Sequence, residues 1–164
     1  MSKIFKISGN FMQYGEWSTP DPSFTGEIVV DDDNTFHGYC NELYDGDTPD
    51  PTKTRYLAGA IAPNGRNGKE GIAFYKLSNY HDQAPLMYVI PELGECSEGE
   101  WAALDWGIFF VIDEARVEIE EVTYSIEDEK RIRTKYDELD KTINWHDRLL
   151  EQIQRCIDIL TNAK

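Results

Sequence analysis

The chain has 164 residues, with 16 Lys/Arg against 31 Asp/Glu, a formal net charge of −15 and an apolar content of 40%. That length suits one domain with a core large enough to stand without staples, and the composition excludes a disordered or low-complexity chain. A surface of this sign repels phosphate backbones and anionic lipid heads alike, so nucleic acid and membrane are excluded as expected partners.

Taken in chain order, residues 3–124 read as short strands broken by Gly, Pro, Asn and Asp clusters. The predicted strands are 3–13, 24–31, 35–43, 55–62, 71–78, 85–91, 101–112 and 115–124. In the first, Phe5, Ile7, Gly9 and Phe11 share one face while Lys6, Ser8 and Asn10 share the other. In the last, Val117 and Ile119 oppose Arg116, Glu118 and Glu120, so these strands have one dry face. Asp32-Asp33-Asn34 is short enough for a hairpin, and Asn64-Gly65-Arg66-Asn67-Gly68 reads as a tight reversal. No helix-length segment intervenes, which leaves sequential antiparallel pairing as the simplest topology. A meander of about eight such strands closes into a barrel to remove its edges. The expected fold is therefore mainly β: an antiparallel up-and-down barrel over 1–124, followed by a long C-terminal α-helix over 125–164.

In such a meander alternate connections fall at one end. The first and third both contain Thr-Pro-Asp-Pro, at Thr19–Pro22 and Thr48–Pro51. Proline fixes φ and biases its predecessor to extended geometry, so these loops hold their shape without a ladder. Together with the fifth connection they predict a stiff rim carrying Tyr14, Glu16, Trp17, Tyr44, Asp45, Asp47, Tyr80, His81 and Asp82. Aromatic faces and carboxylates there suit a small polar or cationic ligand above an interior supplied by Phe5, Ile7 and Phe11.

Ile7-Ser8-Gly9-Asn10-Phe11 is similar to the Ile-x-Gly-x-aromatic opening strand of avidins, and Gly15-Glu16-Trp17 resembles the Gly-x-Trp of lipocalins. With the strand count and the loops massed at one end, residues 3–124 resemble the calycin group of barrels. The resemblance implies a barrel that binds something in its mouth.

The last segment differs. Up to Ser125 there are 8 Lys/Arg against 22 Asp/Glu, and from Ile126 onward 8 against 9, so the acidity belongs to the barrel. Ser125 followed by Asp128 is a capping-box-like start, and no Gly or Pro stops a helix before about Asn162. Ile132, Tyr136, Leu139, Ile143, His146, Leu150, Ile153, Ile157 and Leu160 follow a 4-3-4-3 spacing, the signature of a coiled-coil seam. The seam predicts a homodimer through this helix, with a bend near Thr142–Asn144 as the alternative. The helix's second half is expected against the outer wall of strands 85–91 and 101–112.

Cys40, Cys96 and Cys156 are far apart and odd in number, which offers neither a disulfide framework nor a CxxC pair. The start, Met1-Ser2-Lys3-Ile4-Phe5-Lys6, lacks a signal's apolar h-region, and the expectation is a soluble cytoplasmic protein. His37, His81 and His146 form no metal-binding pattern, no phosphate loop or nucleophile motif occurs, and neither metal nor cofactor is expected. The only catalytic grouping to suggest itself is His81, Asp82 and Asp105. The reading that results is a non-enzymatic binding barrel, the alternative being an interaction or scaffold protein acting through its coiled coil and acidic surface.

Overall fold

A computed structural model describes residues 1–19, 21–43, 54–65, 68–79, 85–93, 98–105 and 108–139. The strands are β1 (Lys3–Gln13), β2 (Glu16–Trp17), β3 (Phe24–Val30), β4 (Thr35–Glu42), β5 (Thr54–Ala62), β6 (Gly71–Leu77), β7 (Leu86–Ile90), β8 (Glu98–Asp105) and β9 (Ile108–Val122), followed by one helix, α1 (Ile126–Asp137). Each strand from β3 to β9 pairs antiparallel with the next, and β1 pairs with both β3 and β9. Eight strands thus close into an up-and-down barrel, with β2 a two-residue spur on the end of β1. Closure leaves none of the eight with an unpaired side, as the meander argument requires.

Alternation decides what lies inside. Ile7 on β1, Phe24 and Ile28 on β3, Phe36 and Cys40 on β4, and Leu57 and Ile61 on β5 all belong to one interior cluster, against which the partly buried Phe11 of β1 packs. Ile72 and Phe74, Tyr88 and Ile90, Trp101, and Ala115 and Val117 complete it from the other strands. Each large apolar side chain so buried contributes about 1.5–3 kcal/mol, which makes this cluster the main stabilising term. Cys40 is wholly buried, and that burial pushes its thiol up to about 12, so it acts as a small neutral filler.

Several interior positions are glycine because the strands coil tightly there. A Cβ on Gly38 would sit 2.0 Å from the Glu27 carbonyl oxygen, and one on Gly26 1.9 Å from that of Tyr39. These two residues face each other's strands across the β3–β4 ladder and let it bend.

One strand boundary differs from expectation. Residues 101–112 do not form a single strand: β8 ends at Asp105, the chain reverses, and Asp105 pairs with Ile108. The apolar run on both sides of the reversal hides it from a pattern of polarity. The Asp113–Glu114 pair, which reads as a break, lies inside β9, where a register shift at Trp101/Ala102 absorbs the irregularity.

The helix begins where the sequence places it, and its predicted span beyond residue 139 lies outside the described residues. Ser125 caps α1, its hydroxyl accepting from the Asp128 amide at 3.3 Å, with Glu127, Asp128 and Glu129 in the first turn. α1 ends at Asp137, and the Glu138 amide donates to the Lys135 carbonyl in a tightened last turn. Ile132 is buried with Ile4 and Val29, and Tyr136 and Leu139 join Tyr56, Ala58, Tyr75 and Met87 on the outer wall. So the first three positions of the predicted seam, Ile132, Tyr136 and Leu139, are covered by the chain's own barrel rather than left for another helix. The wall they meet is that of β1 and β3 to β7. Ile143, His146, Leu150, Ile153, Ile157 and Leu160 lie outside the described residues.

Charged pairs fix the helix against the wall. Arg131 grips Glu27 with two bonds of 2.5 and 3.0 Å, which hold that carboxyl below its usual range, and Arg133 donates to Asp31 at 2.9 Å. Leu139→Glu puts a carboxylate into the cluster with Tyr75 and Met87. It should lower stability by about 2–4 kcal/mol in a denaturant titration, with the mass in light scattering unchanged. A variant of native stability and halved mass would instead place Leu139 in a dimer seam.

Candidate ligand site in the barrel mouth

The antiparallel order brings the ends of β1, β4, β6 and β8 and the starts of β3, β5, β7 and β9 to one end of the barrel. There the first connection is pinned. Tyr14 and Gly15 both take the left-handed conformation, with φ of 56° and 78°, making a two-residue hairpin into β2. The Ser18 amide then returns to the Phe11 carbonyl at 2.8 Å, the Ser23 amide to that of Gly9 at 2.9 Å, and the Gly15 amide to Asp113 at 3.1 Å. The buried Asn10 side chain accepts from both the Phe11 amide and the Ser18 hydroxyl. The Asp21–Pro22 peptide within this stretch is cis. The rim is preformed on this side.

Beneath it the interior changes character. On β4 the inward positions run Phe36, Gly38, Cys40, Glu42; on β5 they run Ile61, Gly59, Leu57, Arg55; on β6 they run Ile72, Phe74, Lys76. Each row is apolar until its last member, and the register, Cys40 opposite Arg55 and Leu57 opposite Lys76, brings the three charges to one level. The Lys76 ammonium donates to Glu42 Oε1 at 2.7 Å and to the Tyr88 hydroxyl at 3.1 Å. The side chains of Lys76 and Glu42 are only 2% and 3% exposed. Burial alone would push Lys76 down, but the facing Tyr88 and Glu42 oxygens outweigh it and hold its pKa above the ordinary lysine value. The same oxygens favour the charged form of Lys76 at this buried position. It also lies over the rings of Phe24, Tyr88 and Phe11, at 4.6, 5.1 and 5.4 Å from their centroids.

Arg55 completes the group, its Nε 4.0 Å from Glu42 Oε1, beyond hydrogen-bonding reach, while its Nη1 donates to the Thr54 carbonyl at 3.3 Å. Glu42 Oε2 is buried and has no hydrogen-bond partner among the described residues. Such a group calls for a donor that the fold does not supply. Above these charges opens a cavity of about 410 Å³. Its walls are Phe11, Leu86, Tyr88 and Trp101, its base Glu42, Arg55 and Lys76, and its lip Gln13, Ser18 and Thr19. The aromatic wall is rigid. Trp101 donates its indole N–H to the Met12 carbonyl at 2.8 Å and lies 5.3 Å from Phe11, and Tyr88 stacks on Phe74 at 5.0 Å.

Of the residues read from sequence as the mouth, Tyr14 is 95% exposed and Glu16 exposed. Trp17 is half-buried beneath the Arg116 guanidinium, 3.8 Å from its ring. None of the three lines the cavity, although their neighbours Gln13, Ser18 and Thr19 do. Tyr44, Asp45, Asp47, Tyr80, His81 and Asp82 lie outside the described residues, as does the side chain of Asp105. Of the three interior residues expected beneath the rim, Phe11 lines the cavity; Ile7 is buried in the cluster and the half-buried Phe5 packs against it. Glu42, Arg55, Lys76, Tyr88 and Trp101 were not anticipated.

A second hollow, of about 570 Å³, lies between α1 and the outer wall, but Arg131 and Lys135 on its margin are already paired, with Glu27 and Glu138. Among the described residues no group of three His, Cys, Asp or Glu side chains is placed to hold a metal ion, and no helix is long and apolar enough to cross a membrane. No protein-family model, curated protein or solved structure matches this chain.

Proposed function

We propose that the protein is a non-enzymatic binding protein that takes a small molecule into the loop-rich mouth of its barrel, polar head inward. The observation that carries this reading is the charged group of Glu42, Arg55 and Lys76 at the base of a cavity in an otherwise apolar interior. A barrel that needed only to be filled would continue Phe, Leu and Ile to its end, since burying ions costs several kcal/mol each before any attraction offsets it. The strand number and order are compatible with the calycin-type barrel that the first strand resembles, in which ligands enter at the mouth. The base carries two cations and one carboxylate, so the head we propose is polar and neutral or anionic rather than cationic. Association of two chains through the helix would have to rest on seam positions beyond Leu139.

The test uses 1-anilinonaphthalene-8-sulfonate, a dye with an aromatic body and an anionic head, which brightens on leaving water. Wild type should show saturable one-to-one enhancement. Leu86→Trp, which fills the cavity from its wall, should abolish it, while Trp17→Ala should not. Enhancement that survives Leu86→Trp in a folded variant would put the dye elsewhere and remove the support for a mouth site.

A further inference from the structure

The base of the cavity has a polarity pattern that selects among polar heads. Lys76 is occupied, its ammonium donating to Glu42 Oε1 and to Tyr88. Two needs remain side by side: among the described residues Glu42 Oε2 lacks a donor, and Arg55, with five N–H groups, has only the Thr54 carbonyl as a hydrogen-bonded acceptor. A carboxylate head would answer Arg55 but set a second anion against Oε2. An ammonium head would answer Oε2 but add a third cation to a site that holds two. What answers both is a neutral group with an N–H and a C=O on one edge, since the Glu42 carboxylate and the Arg55 guanidinium stand together at the cavity base, Oε1 of one 4.0 Å from Nε of the other. The walls decide the rest, because Phe11, Tyr88 and Trp101 present rings to whatever sits there.

We propose, resting on the mouth reading above, that the ligand head is a planar ring lactam, a flat heterocycle whose N–H is donated to Glu42 Oε2 and whose carbonyl accepts from Arg55. A site built to pair a buried acceptor rejects an analogue that cannot pair it far more strongly than it rejects a change of size. The unpaired oxygen is what gives the discrimination.

The probes are quinolin-2(1H)-one, its N-methyl derivative and 2-naphthoate, titrated into the full-length wild-type protein with tryptophan fluorescence and calorimetry as paired measurements. The lactam should bind saturably, and the N-methyl derivative, which keeps the ring and carbonyl but loses the donor, roughly tenfold or more weaker. Naphthoate should bind more weakly than the lactam. Arg55→Met should weaken the lactam about tenfold while preserving the gap to the N-methyl derivative. Because these comparisons vary the ligand, they do not depend on Glu42→Gln, which could fail to fold with Lys76 left unpaired. Equal affinity for the lactam and its N-methyl derivative would mean that a water serves Oε2, and would overturn the proposal. A preference for naphthoate would overturn it too. In either case the mouth reading stands if Leu86→Trp still blocks the probe. No saturable lactam binding up to millimolar concentration also overturns the proposal, and the sulfonate dye then judges the mouth reading separately.

Discussion

Replacing Lys76 with Met is expected to destabilise the barrel by about 3–5 kcal/mol, because it leaves the buried Glu42 carboxylate without its ion-pair partner. Among the described residues Glu42 would keep only Arg55, 4.0 Å away, as a countercharge. Domains of this size have roughly 5–15 kcal/mol of stability, so the single variant should lose a large share of its denaturant midpoint. Adding Glu42→Leu to Lys76→Met removes the stranded ion, and the double variant should recover to within about 2 kcal/mol of wild type, since a buried pair is often replaceable by apolar groups. The same double variant should bind nothing in the mouth, which separates the group's part in binding from its part in stability. Equal losses in the single and double variants would show that Glu42 and Lys76 are not coupled, and the description of the cavity base would be wrong.

Gly38→Ala is the second large effect. Its Cβ would lie 2.0 Å from the Glu27 carbonyl oxygen and 2.8 Å from the Ile28 Cα, both backbone atoms that cannot rotate away. To admit it, β3 and β4 must part by more than 1 Å along a ladder that also carries Gly26 opposite Cys40. Overpacking of that kind costs about 3 kcal/mol or more. Gly68→Ala is the control. It sits at φ 71° with nothing within 4 Å of its added Cβ, so only left-handed strain of about 1–2 kcal/mol applies. Melting should therefore separate the two alanines clearly, and a Gly38→Ala protein as stable as the control would mean that the β3–β4 crossing is looser than described.

The barrel was legible because its strands obey a period of two, and turn residues punctuate most of them. Parity did the rest, placing the long connections at one end without any knowledge of their contacts. One signal was passed over: within Trp101–Val111, read as part of one strand, Asp105 and Gly107 are residue types that favour turns, and Asp105 pairs with Ile108 across the reversal. The helix starts at its Ser125 cap as the sequence indicates, and its predicted span past residue 139 lies outside the described residues. The site itself was half visible. Its position at the loop-rich end followed from topology, but rim residues such as Trp17 were chosen for being aromatic in a loop, whereas the cavity takes its chemistry from strand ends. Glu42, Arg55 and Lys76 each extend an inward apolar row by one step, so carrying the alternation through to each last residue would have found them. What no pattern could supply is the register that sets the three side by side.

The seam between β1 and β9 has a consequence for how the chain reaches this state. Ile4 faces Val122 and Phe11 faces Ala115, so the contacts that finish the barrel join residues more than a hundred positions apart. Every other pairing is between strands adjacent in the chain, apart from the spur. Contacts of such long range return their stabilisation only after a large loss of chain entropy, so this ladder belongs to the late, rate-limiting part of folding. Until it forms, β1 and β9 are both open edges, and a ribosome-bound chain holds β1 in that state until almost all of β9 has emerged. The alternating Glu118 and Glu120 on β9, with Lys6 on β1, keep charge along those two edges during the interval. The acidity that looks like mere solubility in the finished barrel thus acts earlier, when a stray strand has most to pair with.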